Sequence, residues 1–231
     1  RLVVYPEFGA SEPIRDIPLR RGLNIVWAKS EPNPDPQLGQ GKLTGHFVGK
    51  STFCRMIRYC LSNENYAPPN QRAAIQKRFD KACVCLEATV NGTPWAVLKP
   101  LGPTRNFYAR QTESHFDLLQ SKTNDDRFDR FIGALQDTFV KPLPAKRLIQ
   151  DGRQIEWGHI IQMLTRDQEC RFNHFLNWRN PDSDSGAPDL SREEAHYLSR
   201  SVLDLVSEKA MDAKRKIVAL TSQRSQKEAQ R

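Results

Sequence analysis

The run Gly45, His46, Phe47, Val48, Gly49, Lys50, Ser51, Thr52 constrains this chain more than any other feature. A Gly-Lys-Ser opening a helix is where backbone amides and the helix dipole converge on negative charge. Directly after it, Phe53, Met56, Ile57, Cys60 and Leu61 recur at helical spacing with Arg55 and Arg58 between them, which predicts a buried helix from about Lys50. Upstream, the apolar run 23–27 reads as a strand. Strand, glycine loop and helix in that order make a phosphate loop. Gly49 lets the backbone approach the phosphates, Lys50 reaches the β and γ phosphates, and Ser51 offers magnesium the hard oxygen it prefers. The Walker A pattern is displaced, because Thr44 stands where its first glycine belongs and Gly45 comes one step later. His46 and Phe47 line the loop, where packing is at least as good a role for them as phosphate contact.

Composition narrows the rest. The 231 residues include 15 Pro, 12 Gly and 38% hydrophobic residues, ordinary values for a chain that builds a core. No apolar run reaches the roughly 20 residues that a spanning helix needs. A formal charge of +8 favours phosphate-bearing partners without proving one. The chain opens on Arg1 with no secretory signal order, which reads as a processed or truncated cytoplasmic product. Of the five cysteines, only Cys83 and Cys85 are close in sequence. Their spacing puts both thiols on one face of a strand, and with no second pair at zinc spacing they read as buried apolar thiols.

Along the chain, Leu2–Tyr5 and residues 14–19 are expected to be strands, and the Pro- and Gly-rich stretch 29–43 a long loop. A short helix ending near Lys81 precedes two strands joined by Asn91 and Gly92, the dipeptide of a tight type I′ hairpin. Residues 114–140 read as helix with a break near Asn124, and 157–164 and 172–178 as two short helices. Ser191 with Glu194 forms a capping box, and no Pro or Gly follows before Arg231. A single long helix leaving the globular body is therefore expected from residue 191.

With those residues in view, the chain resembles the N-terminal half of an ATPase head of the SMC, RecN and SbcC type, a branch of the ABC ATPases. The segment Gly22, Leu23, Asn24, Ile25, Val26, the Gly49, Lys50, Ser51, Thr52 core and the emerging helix carry the likeness. The Gly-His pair in the loop is similar to loops of SMC-like ATPases in bacterial antiphage defence. Leu164, Thr165, Arg166, Asp167, Gln168, Glu169 resembles the family's Q-loop, whose glutamine touches magnesium and the attacking water; the resemblance assigns that role to Gln168. The implied fold is α/β: a P-loop NTPase N-terminal lobe with a β-rich edge, a helical cover and the start of a coiled coil. The head would span 1–190 and the coil 191–231. The implied cofactors are ATP and Mg2+, held by Gly45, His46, Phe47, Val48, Gly49, Lys50, Ser51 and Thr52, with Ser51 and Gln168 on the metal.

A Walker B acid pair and a Gly-rich signature are missing. Val84, Cys85, Leu86, Glu87 has a single carboxylate and runs into the Asn91–Gly92 hairpin, so Glu87 reads as a strand residue. In the family those parts follow the coiled coil. The resemblance thus implies a C-terminal half, a second head in a dimer, double-stranded DNA on a basic surface that includes Arg55 and Arg58, and a nuclease or other effector in repair or antiphage defence. Two alternatives stay open: a chromosome-organising SMC-like protein with a kleisin subunit, and a self-contained P-loop kinase or GTPase.

Overall fold

The structure, a computed structural model, describes residues 1–26, 50–104, 106–123, 125–165, 176, 178 and 186–229, with backbone alone at Lys50, Ser51, Glu208, Met211, Ser222 and Ala229. The chain forms two compact units, Arg1–Phe128 and Asp129–Arg231.

The first unit is built on a sheet of β1 (Leu2–Tyr5), β2 (Arg15–Ile17), β3 (Cys83–Val90), β4 (Thr93–Pro100) and β5 (Tyr108–Arg110) in the order β2-β1-β3-β4-β5. Every pairing among these strands is antiparallel. The β3–β4 hairpin closes where the sequence predicts, with Val90 opposite Thr93 and positive φ at both Asn91 (47°) and Gly92 (80°). That turn twists in the same sense as the strands it joins, which is why it accepts only residues that tolerate left-handed backbone.

Strand alternation gives the sheet two buried faces. On one, Cys83 and Cys85 join Val3, Tyr5, Ala96 and Leu98 against Leu118 and Leu119 of α3 (His115–Gln120). Both thiols are core groups, as their spacing implies. On the other, Val84 and Lys99 sit side by side in register and face α1 (Lys50–Leu61), whose Tyr59 hydroxyl donates to the Pro100 carbonyl at 2.7 Å. Helix α2 (Pro69–Arg78) begins on a proline at its first position and buries none of its residues.

Residues 23–26 do not form the expected strand. Among the described residues they have no ladder partner, and Leu23 is 77% and Ile25 74% exposed. An apolar run becomes a strand only with a ladder partner, and among the described residues none of the five strands of this sheet pairs with it. The helical region 114–140 is divided more deeply than its periodicity suggests: α3 and α4 (Phe128–Leu135) are separate, and α4 runs on into a π turn, Gln136–Val140.

In the second unit, α4 and α5 (Trp157–Leu164) are joined through Gln136, whose amide donates to the Ile155 carbonyl at 3.2 Å and accepts from the Trp157 amide at 2.7 Å. Helix α6 (Arg192–Val202) starts on the capping box read from the sequence: Glu194 N–H donates to Ser191 Oγ and Ser191 N–H to Glu194 Oε2. It buries Ala195, Tyr197 and Leu198.

The helix does not continue unbroken to the end of the chain. After α6 the Leu205 amide donates to the Arg200 carbonyl and the Asp204 amide to that of Ser201, with Asp204 at φ 54°. This is the hydrogen-bond pattern of a Schellman stop, which normally carries glycine or asparagine in the left-handed position. An aspartate holds it here, so the break left no Gly or Pro for the sequence to show. Helix α7 (Glu208–Ala229) follows, with Ile217 and Leu220 exposed. A solvent-facing helix thus begins at 208 rather than 191.

Candidate functional site

Of the residues assigned to nucleotide, Lys50, Ser51 and Thr52 are brought together as the first turn of α1. Thr52 is half-buried. Gly45, His46, Phe47, Val48 and Gly49 lie outside the described residues, as do Gln168 and, of the expected helix over 172–178, residues 172–175 and 177; Leu176 and Trp178 are not helical. Helix α1 carries no acidic residue in its first turn. Its positive dipole end therefore has no carboxylate of its own to neutralise it, the condition under which such an end accepts a phosphate group.

The opposite end of α1 is anchored by buried polar groups that the sequence pattern did not mark as special. Arg58 Nε lies 2.8 Å from Glu64 Oε2, and both side chains are almost wholly buried. Arg58 therefore belongs to the interior and not to a DNA-facing surface. Ser62 Oγ donates to the Arg58 carbonyl at 2.8 Å and accepts from the Glu64 amide at 3.1 Å, which closes the turn after the helix.

Lys99 reaches this turn from β4. Its ammonium donates to the Ser62 carbonyl at 2.7 Å and lies 3.7 Å from the ring centre of Phe128, 4.2 Å from that of Phe107 and 4.7 Å from that of Tyr59. Burial pushes Lys99 down to about 7, with the Cys60 thiol acting in the other direction. Three ring faces and one carbonyl replace the water this cation would otherwise hold. Its signal in the sequence is slight: a lysine at a core position of an otherwise apolar strand.

On the other face of the sheet, the His115 ring bridges Tyr5 and Glu87. Glu87 Oε1 is 2.6 Å from Nδ1 and accepts from the His115 backbone amide at 3.1 Å, while Nε2 is 2.8 Å from the Tyr5 hydroxyl. Burial opposes ionisation of Glu87, but the side-chain and backbone hydrogen bonds from His115 prevail and hold its carboxyl below the usual range. Glu87 is a strand residue, as read. Among the described residues no group of three or more His, Cys, Asp or Glu side chains is placed to hold a metal ion, and no helix is long and apolar enough to cross a membrane. No protein-family model, curated protein or solved structure matches the chain.

Proposed function

We propose that this chain is the ATP-binding N-terminal half of an SMC-like ATPase head, coupling nucleotide binding to the handling of duplex DNA in repair or antiphage defence. The observation that supports it best is helix α1. It opens at the Gly-Lys-Ser sequence with no carboxylate in its first turn, and its far end is closed by the Arg58–Glu64 pair and tied to the sheet by Lys99. A phosphate-binding helix must stay put when charge arrives at its tip, and this anchoring supplies that rigidity.

In this reading Lys50 pairs with the β and γ phosphates, while Ser51 and Gln168 hold magnesium, which would draw charge from the γ phosphate. The antiparallel sheet is the β-rich edge of the head, and the exposed helix α7 is the beginning of the coil. Turnover requires the C-terminal half and a second head, because contacts to the γ phosphate made only in a closed dimer convert nucleotide state into movement.

The test is magnesium-dependent ATP binding by calorimetry in the wild type and in Lys50→Ala. The variant should fold normally and lose ATP affinity; equal affinity in the two proteins contradicts the assignment. Duplex DNA binding should fall steeply from low to physiological salt as condensed counterions cease to drive it.

A further inference from the structure

Helix α5 is closed at its start by a titratable ring. Glu156 is the residue that caps it and His159 stands three positions on, where a Glu or Gln side chain commonly reaches back to the capping residue's amide. Here the imidazole does so. The Glu156 backbone N–H donates to His159 Nδ1 at 3.0 Å, while the His159 backbone N–H donates to the Glu156 carbonyl at 3.0 Å. A ring nitrogen that accepts from an amide carries no proton, so the neutral ring holds its hydrogen on Nε2.

Nε2 is buried with no hydrogen-bond partner among the described residues. The ring is thus suited to one protonation state. A second proton can enter only at Nδ1, where it would point at the Glu156 N–H, and the bond that closes the turn would be lost. The charged groups that face the ring are Glu156 beside it, Glu194 on α6 and Arg153 upstream, itself paired with Asp151. The π turn faces this end of α5 with two neutral groups, Gln136 and Phe139. Burial is the largest influence and holds His159 below its ordinary 6.5, against the pull of the Glu156 and Glu194 carboxylates; Arg153 adds to it.

We propose that His159 is a proton-operated latch on the first turn of α5: the neutral ring holds the turn closed, and the protonated ring releases the Glu156 amide and opens it. This turn is a junction. The Trp157 amide ties it to Gln136 at 2.7 Å, Arg153 ahead of it donates to the Asp189 carbonyl at 3.0 Å, and Gln162 one turn on donates to the Pro188 carbonyl at 2.8 Å. Opening it therefore loosens the hold of α5 on the segment that leads into α6. From 6.5 down to the lower value of the closed state, the open turn binds a proton that the closed turn does not, so acidification favours opening. The latch does not depend on the ATPase reading.

The experiment is NMR on the full chain. At neutral pH the nitrogen chemical shifts of the His159 ring should place its hydrogen on Nε2; a hydrogen on Nδ1 overturns the proposal. Exchange of the Glu156 amide, expressed as protection relative to its intrinsic rate, is then followed from neutrality to about pH 5, the range in which histidine titrates, in the wild type and in His159→Gln. Glutamine at this position accepts from the same amide but carries no titrating group. Protection in the wild type should fall by up to about tenfold per pH unit below 6.5, in step with titration of the ring, and stay level in the variant. Constant protection in the wild type, a fall that does not track the ring, or the same fall in a folded His159→Gln would each overturn the latch. Circular dichroism establishes that the variant is folded, and the two wild-type readings decide the matter if it is not.

Discussion

Lys99 donates its ammonium to the carbonyl of Ser62 at 2.7 Å, from a position in which the lysine has no exposed surface. This single bond joins β4 to the turn that ends α1. The lysine is the charged group most costly to bury here, and burial has moved it from 10.5 to about 7.

Folding stability should therefore rise with pH just above neutrality. Between about 7 and 10.5 the unfolded chain binds a proton at Lys99 that the folded chain does not, so raising the pH through this window favours folding. Below about 7 both states are charged and the full cost of burying the cation is present. The lysine contributes a slope of at most about 1.4 kcal/mol per pH unit. Cys60 and Tyr66, pushed up to about 12 by burial, oppose it from about 9 upward, so the clean window is 7 to 9. Urea denaturation of the wild type against Lys99→Met should show a steeper rise in the wild type, because the N-terminal amine, lowered from 8.0 chiefly by burial, adds the same rise to both proteins. Parallel curves would show that Lys99 keeps an ordinary proton affinity.

The Arg58–Glu64 pair makes a different prediction. Both side chains are 2% exposed and 2.8 Å apart, so each charge relies on the other for what water no longer supplies. Glu64→Ala should cost about 3–5 kcal/mol, since it strands a buried guanidinium. Arg58→Met with Glu64→Leu should recover most of that loss. A single variant that melts within a degree of the wild type would show that the pair is open to water.

Gly102 is fixed by contact rather than by backbone conformation. The Asp80 carbonyl occupies the space of any Cβ, and because both groups are backbone, neither can rotate away. Gly102→Ala should destabilise the chain by roughly 1–3 kcal/mol through overpacking, read as a lowered urea midpoint with an unchanged m-value. Gly92→Ala tests the other kind of glycine. It meets no neighbouring atom but sits at φ 80°, and it should cost about 1 kcal/mol from backbone strain alone.

Local chemistry made part of this fold legible. Asn91 and Gly92 encode their turn, Ser191 and Glu194 encode their cap, and Cys83 and Cys85 encode their shared face, because each depends on a few residues adjacent in sequence. Leu23 and Ile25 misled because strand formation depends on a partner elsewhere in the chain, which the pattern of one segment cannot reveal. The stop at Asp204 was hidden because an aspartate took a conformation usually left to glycine. The candidate site divides in the same way. Lys50, Ser51 and Thr52 do open a helix, as their motif implies, but the roles of Arg58 and Lys99 emerge only when β4 is laid against α1.

The chain Glu87–His115–Tyr5 gives the last prediction. An ionised Glu87 only accepts, so the His115 Nδ1 at 2.6 Å carries a proton, and in the neutral ring the Tyr5 hydroxyl donates to Nε2. Because the Glu87 carboxyl is held below its ordinary 4.5, it contributes stability that is fully present above that value and is lost as pH falls through its lower folded value. Glu87→Gln keeps an oxygen to accept from Nδ1 but has no charge to titrate. It should cost about 1 kcal/mol at neutral pH, the charge-assisted part of the bond, and the gap to the wild type should close on acidification below 4.5. Asp16 and Asp126, also held low by their arginine partners, titrate in both proteins and cancel in the difference. A gap that stays constant from neutral pH into acid would mean that His115 is positioned by packing alone and that Glu87 is ionised to the same extent folded and unfolded.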